Sequence, residues 1–136
     1  MNARQEAMAL IAAYYAAFNA GDRRAMLGLV TDDIEHHVNE GAIRRGRDLF
    51  EQFNAHMAET YREHLTDMVI MAAEAGDRGG AEFTVNGTYL KTEPGLPEAR
   101  GQSYKLAAGA FMTLRRGRIS RITTYYNLSD WMTQVS

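Results

Sequence analysis

The stretch Tyr14-Tyr15-Ala16-Ala17-Phe18-Asn19-Ala20-Gly21-Asp22 decides the reading of this chain. Before it, Met8, Ile11 and Ala12 recur at helical spacing, and Tyr15 and Phe18 continue the stripe. Arg4, Gln5 and Glu6 give the helix a polar start, and Gly21 gives it a stop. Tyr14 lies on the flank of the apolar stripe, so tyrosine hydroxyls are carried deep into whatever this helix packs against. Asp22 can cap a short second helix bearing Met26, Leu27 and Val30. An acidic turn, Thr31-Asp32-Asp33, follows, and Ile34 to Val38 then changes to period two, the signature of a strand.

Outward from this segment the pattern is simple. Residues 47–60 return to helical spacing, with Leu49, Phe50, Phe53 and Met57 as the apolar face and Gly46 just before it. From about residue 64 only strands are expected, at 65–73, 81–90, 103–114 and 119–128. Gly76 to Gly80, Glu93 to Pro97 and Arg116-Gly117 separate them. Helices first and antiparallel strands afterwards make an α+β protein. With 136 residues, 46% of them hydrophobic, the chain reads as one domain over 1–136 with a single core. Along 103–114 both parities are rich in apolar residues, so neither sheet face is plainly solvated. A homodimer is therefore expected to cover the outer face, with Met112, Leu106 and Tyr125 as candidate contacts.

Composition removes several functions. A net charge of −2 with interspersed acids and bases leaves no nucleic-acid footprint, and Arg115-Arg116-Gly117-Arg118 reads as an exposed hairpin turn. The chain has no cysteine, which excludes a disulfide framework, a thiolate nucleophile and a sulfur zinc site. His36 and His37 face opposite ways from a regular strand and cannot chelate one ion together. No metal and no cofactor is expected. No membrane span or signal peptide is read from the sequence, so a cytoplasmic protein is the default.

Few residues remain to carry chemistry. Ile34, His36 and Val38 share one strand parity, and Glu35, His37 and Asn39 the other. His36 should therefore point inward. An inward histidine is a candidate general base, because burial favours its neutral, proton-accepting form. The alternative is a histidine satisfied by one structural hydrogen bond. Tyr14, Tyr15, Tyr61, Tyr89, Tyr104, Tyr125 and Tyr126 offer phenols, each either a packed core ring or a donor to a substrate oxygen. Phe83, Val85, Gly87 and Tyr89 share a parity on which Gly87 leaves a space. Ile122, Thr124 and Tyr126 alternate with Arg121, Thr123 and Tyr125, which turns Tyr126 inward. Trp131 reads as a lid on the core.

The order of Tyr-bearing helix, Asn19-Ala20-Gly21-Asp22 turn, short helix, Asp32-Asp33 turn and strand resembles the opening of the NTF2-like superfamily. Gly117-Arg118-Ile119 resembles its last hairpin. The strings Ile34 to Gly41, Gly95-Leu96-Pro97 and Thr124 to Trp131 look like the bacterial SnoaL-like, or ketosteroid-isomerase-related, group. That resemblance implies a cone in which a strongly curved, mainly antiparallel sheet wraps the N-terminal helices around an apolar pocket. It places Tyr14 at the oxyanion-hole tyrosine of ketosteroid isomerases. Val38 falls where those enzymes carry a carboxylate base, and Gly109 where they carry a protonated acid, so steroid isomerisation by that machinery is not expected.

Together these readings give a pocket protein for a small apolar carbonyl or polyketide-like molecule, working by proton transfer. His36 and Tyr14 are its catalytic pair, and Tyr126, Tyr89, Phe111, Val85, Val38 and Trp131 its substrate-binding residues. The enzymatic class is isomerase-like, or lyase or hydrolase. A ligand-binding or dimerisation module without catalysis is the alternative.

Overall fold

The computed structural model describes residues 1–136. Its first helix, α1 (Ala3–Ala20), opens on a capping box, in which the Asn2 side chain accepts from the Gln5 amide at 2.9 Å and the Gln5 side chain accepts from the Asn2 amide at 3.0 Å. It ends at Gly21, whose φ of 70° is left-handed and suits glycine. Asp22 then caps α2 (Arg23–Gly28) by accepting from the Ala25 amide at 3.0 Å. The chain continues through β1 (Val30–Val38) and the two-residue β2 (Arg44–Arg45) to α3 (Arg47–Thr60). Four long strands follow, β3 (Tyr61–Ala72), β4 (Arg78–Tyr89), β5 (Ser103–Arg115) and β6 (Arg118–Tyr126), before the closing helix α4 (Leu128–Val135).

The six strands form one unclosed sheet in the order β2-β1-β6-β5-β4-β3. All neighbours are antiparallel except β1 and β6, which run parallel. Irregularities in the β1–β6, β3–β4 and β5–β6 registers bend the ladder, the second of them at Asp67, where φ is 56°. The sheet curls around α1, which packs chiefly on β3 and β4. Asn19 fixes that docking: its side chain donates to the Leu65 carbonyl at 2.9 Å and accepts from the Leu65 amide at 2.8 Å. The Asn19-Ala20-Gly21-Asp22 turn therefore clamps β3, stops one helix and starts the next. No helix is long and apolar enough to cross a membrane.

Two differences from the sequence reading bear on the site. First, β3 starts at Tyr61, directly after α3 and without a turn, since Tyr61 is already extended at φ −133°, ψ 147°. The inward parity of its first half is Tyr61, Glu63, Leu65, and a polar residue in the middle hides the alternation. Second, Met112 and Leu106 are buried on the inner face and cannot be dimer contacts, whereas Tyr125 is half exposed on the outer face. Leu49 also faces out of α3, which packs through Phe50, Phe53 and Met57.

Candidate active site

Between α1, α3 and the concave face of the sheet lies a cavity of about 290 Å³, at the small end of the range for ligand sites. Sixteen of its 21 lining residues are hydrophobic, so polar groups placed in it act in a poorly hydrated space. Tyr14 reaches it from α1, His36 and Val38 from β1, Val85 from β4, Tyr126 from β6 and Trp131 from α4. His36 and Tyr126 thus lie on the face that strand parity assigns to them.

His36 is 4% exposed and lies edge-on between two rings, with centroids 5.2 Å from Phe50 and 4.8 Å from Phe53. Its Nδ1 is enclosed without a hydrogen-bond partner. Nε2 is not enclosed in this way, so it is the nitrogen a ligand can reach. Burial, helped by the cations of Arg44 and by His37, pushes the His36 pKa down to about 4, which leaves the ring neutral at physiological pH. Tyr14 packs on the same Phe50, 6.5 Å between centroids, and edge-on to Tyr15 at 5.2 Å. Burial, with a smaller contribution from Tyr15, raises the Tyr14 pKa well above the phenol range, so it stays a neutral donor.

Two residues expected at the ligand lie elsewhere. Phe111 is 58% exposed on the convex face, against Tyr125 at 6.1 Å, because it belongs to the strand parity opposite to Leu106. Tyr89 is fully buried, and its hydroxyl is spent on the β4–β5 loop, donating to the Pro97 carbonyl at 2.7 Å and accepting from the Glu93 amide at 2.8 Å. The space at Gly87 is filled by the ring of Tyr104, since a Cβ there would lie 2.1 Å from Tyr104 Cζ.

Sequence reasoning missed two carboxyl groups that line the cavity, Glu63 and Glu93. Glu93 is anchored by the Tyr61 hydroxyl at 2.9 Å and by His56 Nε2 at 2.7 Å, tying the loop to β3 and α3. Glu63 accepts from the Tyr104 hydroxyl at 2.5 Å. Burial raises its pKa, and the Tyr104 bond opposes that shift without cancelling it. The alternation Tyr61-Arg62-Glu63-His64-Leu65 carried the signal.

A curved sheet folded over a tyrosine-bearing helix, with a mainly apolar cavity between them, defines an α+β cone of the NTF2-like class. The SnoaL-like domain family matches residues 11–122, and this chain belongs to it. A provisionally assigned polyketide cyclase from Silicibacter is 59% identical with a TM-score of 0.95, over 98% of this chain and 97% of that one. One from Xanthomonas campestris is 47% identical with a TM-score of 0.96, over 99% and 100%. A third, from Pseudomonas putida, is 48% identical with a TM-score of 0.95, over 100% and 99%. More distant structures, including one with a ketosteroid isomerase-like fold from Catenulispora acidiphila at 21% identity, share the fold. No curated protein matches this chain significantly.

Proposed function

We propose that this protein catalyses proton transfer on a small apolar, carbonyl-bearing molecule of polyketide type, with His36 as the base and Tyr14 as the donor to the carbonyl oxygen. One observation carries the reading. His36 is buried, neutral and tied to no backbone or side-chain group, and it shares an apolar cavity with the equally buried Tyr14. A histidine kept only for structure would be satisfied by a hydrogen bond, as nearly all buried polar groups are. Nε2 accepts a proton from carbon, and the phenol of Tyr14 stabilises the negative charge that develops on oxygen. Enolate formation of this kind opens an isomerisation or an aldol closure, and the similarity to proteins described as polyketide cyclases supports the second.

The direct test is exchange of α-protons into deuterated water, followed by proton NMR, with small apolar ketones such as 2-tetralone and 2-indanone as probes. Protein-dependent exchange above the buffer rate is the expected result. Exchange at the buffer rate for every ketone would return the chain to the reading of a binding module.

The convex sheet face supports a second proposal, a homodimer. Val69, Met71, Phe111 and Tyr125 are all half exposed or more on that face, and a second copy of the same sheet is the self-complementary cover. Light scattering is expected to give twice the monomer mass at micromolar concentration. A monomer, or a dimer that persists unchanged in a Phe111→Lys variant, would overturn this.

A further inference from the structure

We infer that Glu63 is the acid partner of His36: its carboxyl group holds a proton on Oε1 and passes it to the carbonyl oxygen of the ligand. The inference rests on the proton-transfer reading above and extends it from one proton to two.

Glu63 on β3 pairs with Gly87 on β4, and Gly87 pairs with Tyr104 on β5. All three lie in one row across the sheet and face inward. Any side chain at Gly87 would block the row, since a Cβ would fall 2.1 Å from Tyr104 Cζ and 2.5 Å from its hydroxyl oxygen. The glycine lets the tyrosine ring lie over β4 and reach the carboxyl group two strands away, where its hydroxyl donates to Glu63 Oε2. Burial and the neighbouring Glu63 hold Tyr104 in its protonated form, so the direction of that bond is settled.

The bond occupies one oxygen only. Oε1 has no protein partner and is not enclosed, and Glu63 lines the same cavity as His36 and Tyr14. Glu93, the other carboxyl group of the cavity, has both oxygens engaged, by His56 and by Tyr61. Glu63 also forms no ion pair. Its surroundings are those of a carboxylic acid: one oxygen accepts a hydrogen bond, the other is free to carry a proton toward an apolar space. The titratable groups that face the cavity with it are Tyr61 from β3, Tyr126 from β6, Tyr14 and Tyr15 from α1, His36 from β1 and Glu93 from the β4–β5 loop, and Tyr104 from β5 bonds it directly. None of them is a lysine or arginine that would hold the carboxylate charged.

Burial shifts the two pKa values in opposite directions, raising that of Glu63 and lowering that of His36. Free histidine is protonated about two pH units above free glutamate, so these opposite shifts reverse that order and open a pH range in which a neutral imidazole and a neutral carboxyl group line the same cavity. In the step, the α-carbon loses a proton to His36 Nε2, and its C–H electron pair becomes the carbon–carbon double bond. The carbonyl π pair takes the proton from Glu63 Oε1, leaving an enol, an imidazolium and a carboxylate. Reketonisation returns both protons.

The experiment is α-proton exchange of 2-tetralone by the intact protein across pH. A bell-shaped profile is expected, with the acidic limb set by His36 and the alkaline limb by Glu63. Glu63→Gln should slow exchange by about a hundredfold and remove the alkaline limb, a loss at the low end for a general acid. Tyr104 is a positioning residue. Tyr104→Phe should move the alkaline limb to higher pH, because the lost hydrogen bond favoured the ionised carboxylate. Carbon-13 NMR titration of the unsubstituted protein should show one glutamate carboxyl group, absent in Glu63→Gln, titrating above the ordinary range; in its absence the proposal fails. A wild-type profile in Glu63→Gln, alongside slow exchange in His36→Ala, would overturn Glu63 and leave the His36 reading standing. Exchange at the buffer rate by the wild-type protein would remove both.

Discussion

Replacing His36 by alanine is expected to lower α-proton exchange of an apolar ketone by about 10² to 10⁴-fold, the usual contribution of a positioned base. The acidic limb of the pH profile should go with it. His36 is neutral above a pKa of about 4, so on the acid side of the profile wild-type exchange should fall as the pH is taken down through that value. A base of this strength is weak, and its use depends on the apolar cavity and on an electrophile that acidifies the carbon. His36→Gln is the necessary companion. It fills more of the slot between Phe50 and Phe53 than alanine does, so equal losses in the two variants separate the missing base from a collapsed cavity. Retention of wild-type exchange in either variant would remove His36 from the mechanism.

The fold was legible because its decisive signals are local. Gly21 and Asp22 end and start helices through their own backbone and side chain, and α3 occupies the residues its periodicity marks, with only Leu49 turned out. Strand parity placed His36, Val38, Val85 and Tyr126 correctly, since a residue's side of a strand follows from counting. Phe111 was misplaced against that same count, on the strength of its hydrophobicity alone. Tyr89 has the correct parity but spends its hydroxyl on the β4–β5 loop, a partner set by the folding of residues 90–102 and not by the strand. Glu63 was harder still. Its role depends on a register across three strands, and on Gly87 being the one position where a missing side chain lets Tyr104 through. Pairing of that range has no signature in a window of sequence. The asparagine at 19 shows the same limit, for its two bonds to Leu65 join segments 46 residues apart.

Tyr14→Phe should cost about 2 to 4 kcal/mol of transition-state stabilisation, the usual penalty for removing one oxyanion donor. Only burial and Tyr15 perturb the Tyr14 hydroxyl, and no protein group accepts its proton, so the substitution breaks no structural hydrogen bond. The ring contacts with Tyr15 and Phe50 survive in phenylalanine. Thermal unfolding should therefore stay close to that of the wild type while kcat/KM falls by roughly 30- to 1,000-fold. The loss should appear mainly in kcat, because the hydrogen bond to oxygen strengthens as charge develops there and contributes less to binding the neutral ketone. A parallel measurement with a bound naphthol, an analogue of the enol, sharpens the test, since its affinity should fall with kcat/KM and not with KM. Loss of ketone affinity alone, with the exchange rate at saturation unchanged, would show that Tyr14 holds the ligand without taking part in the proton transfer.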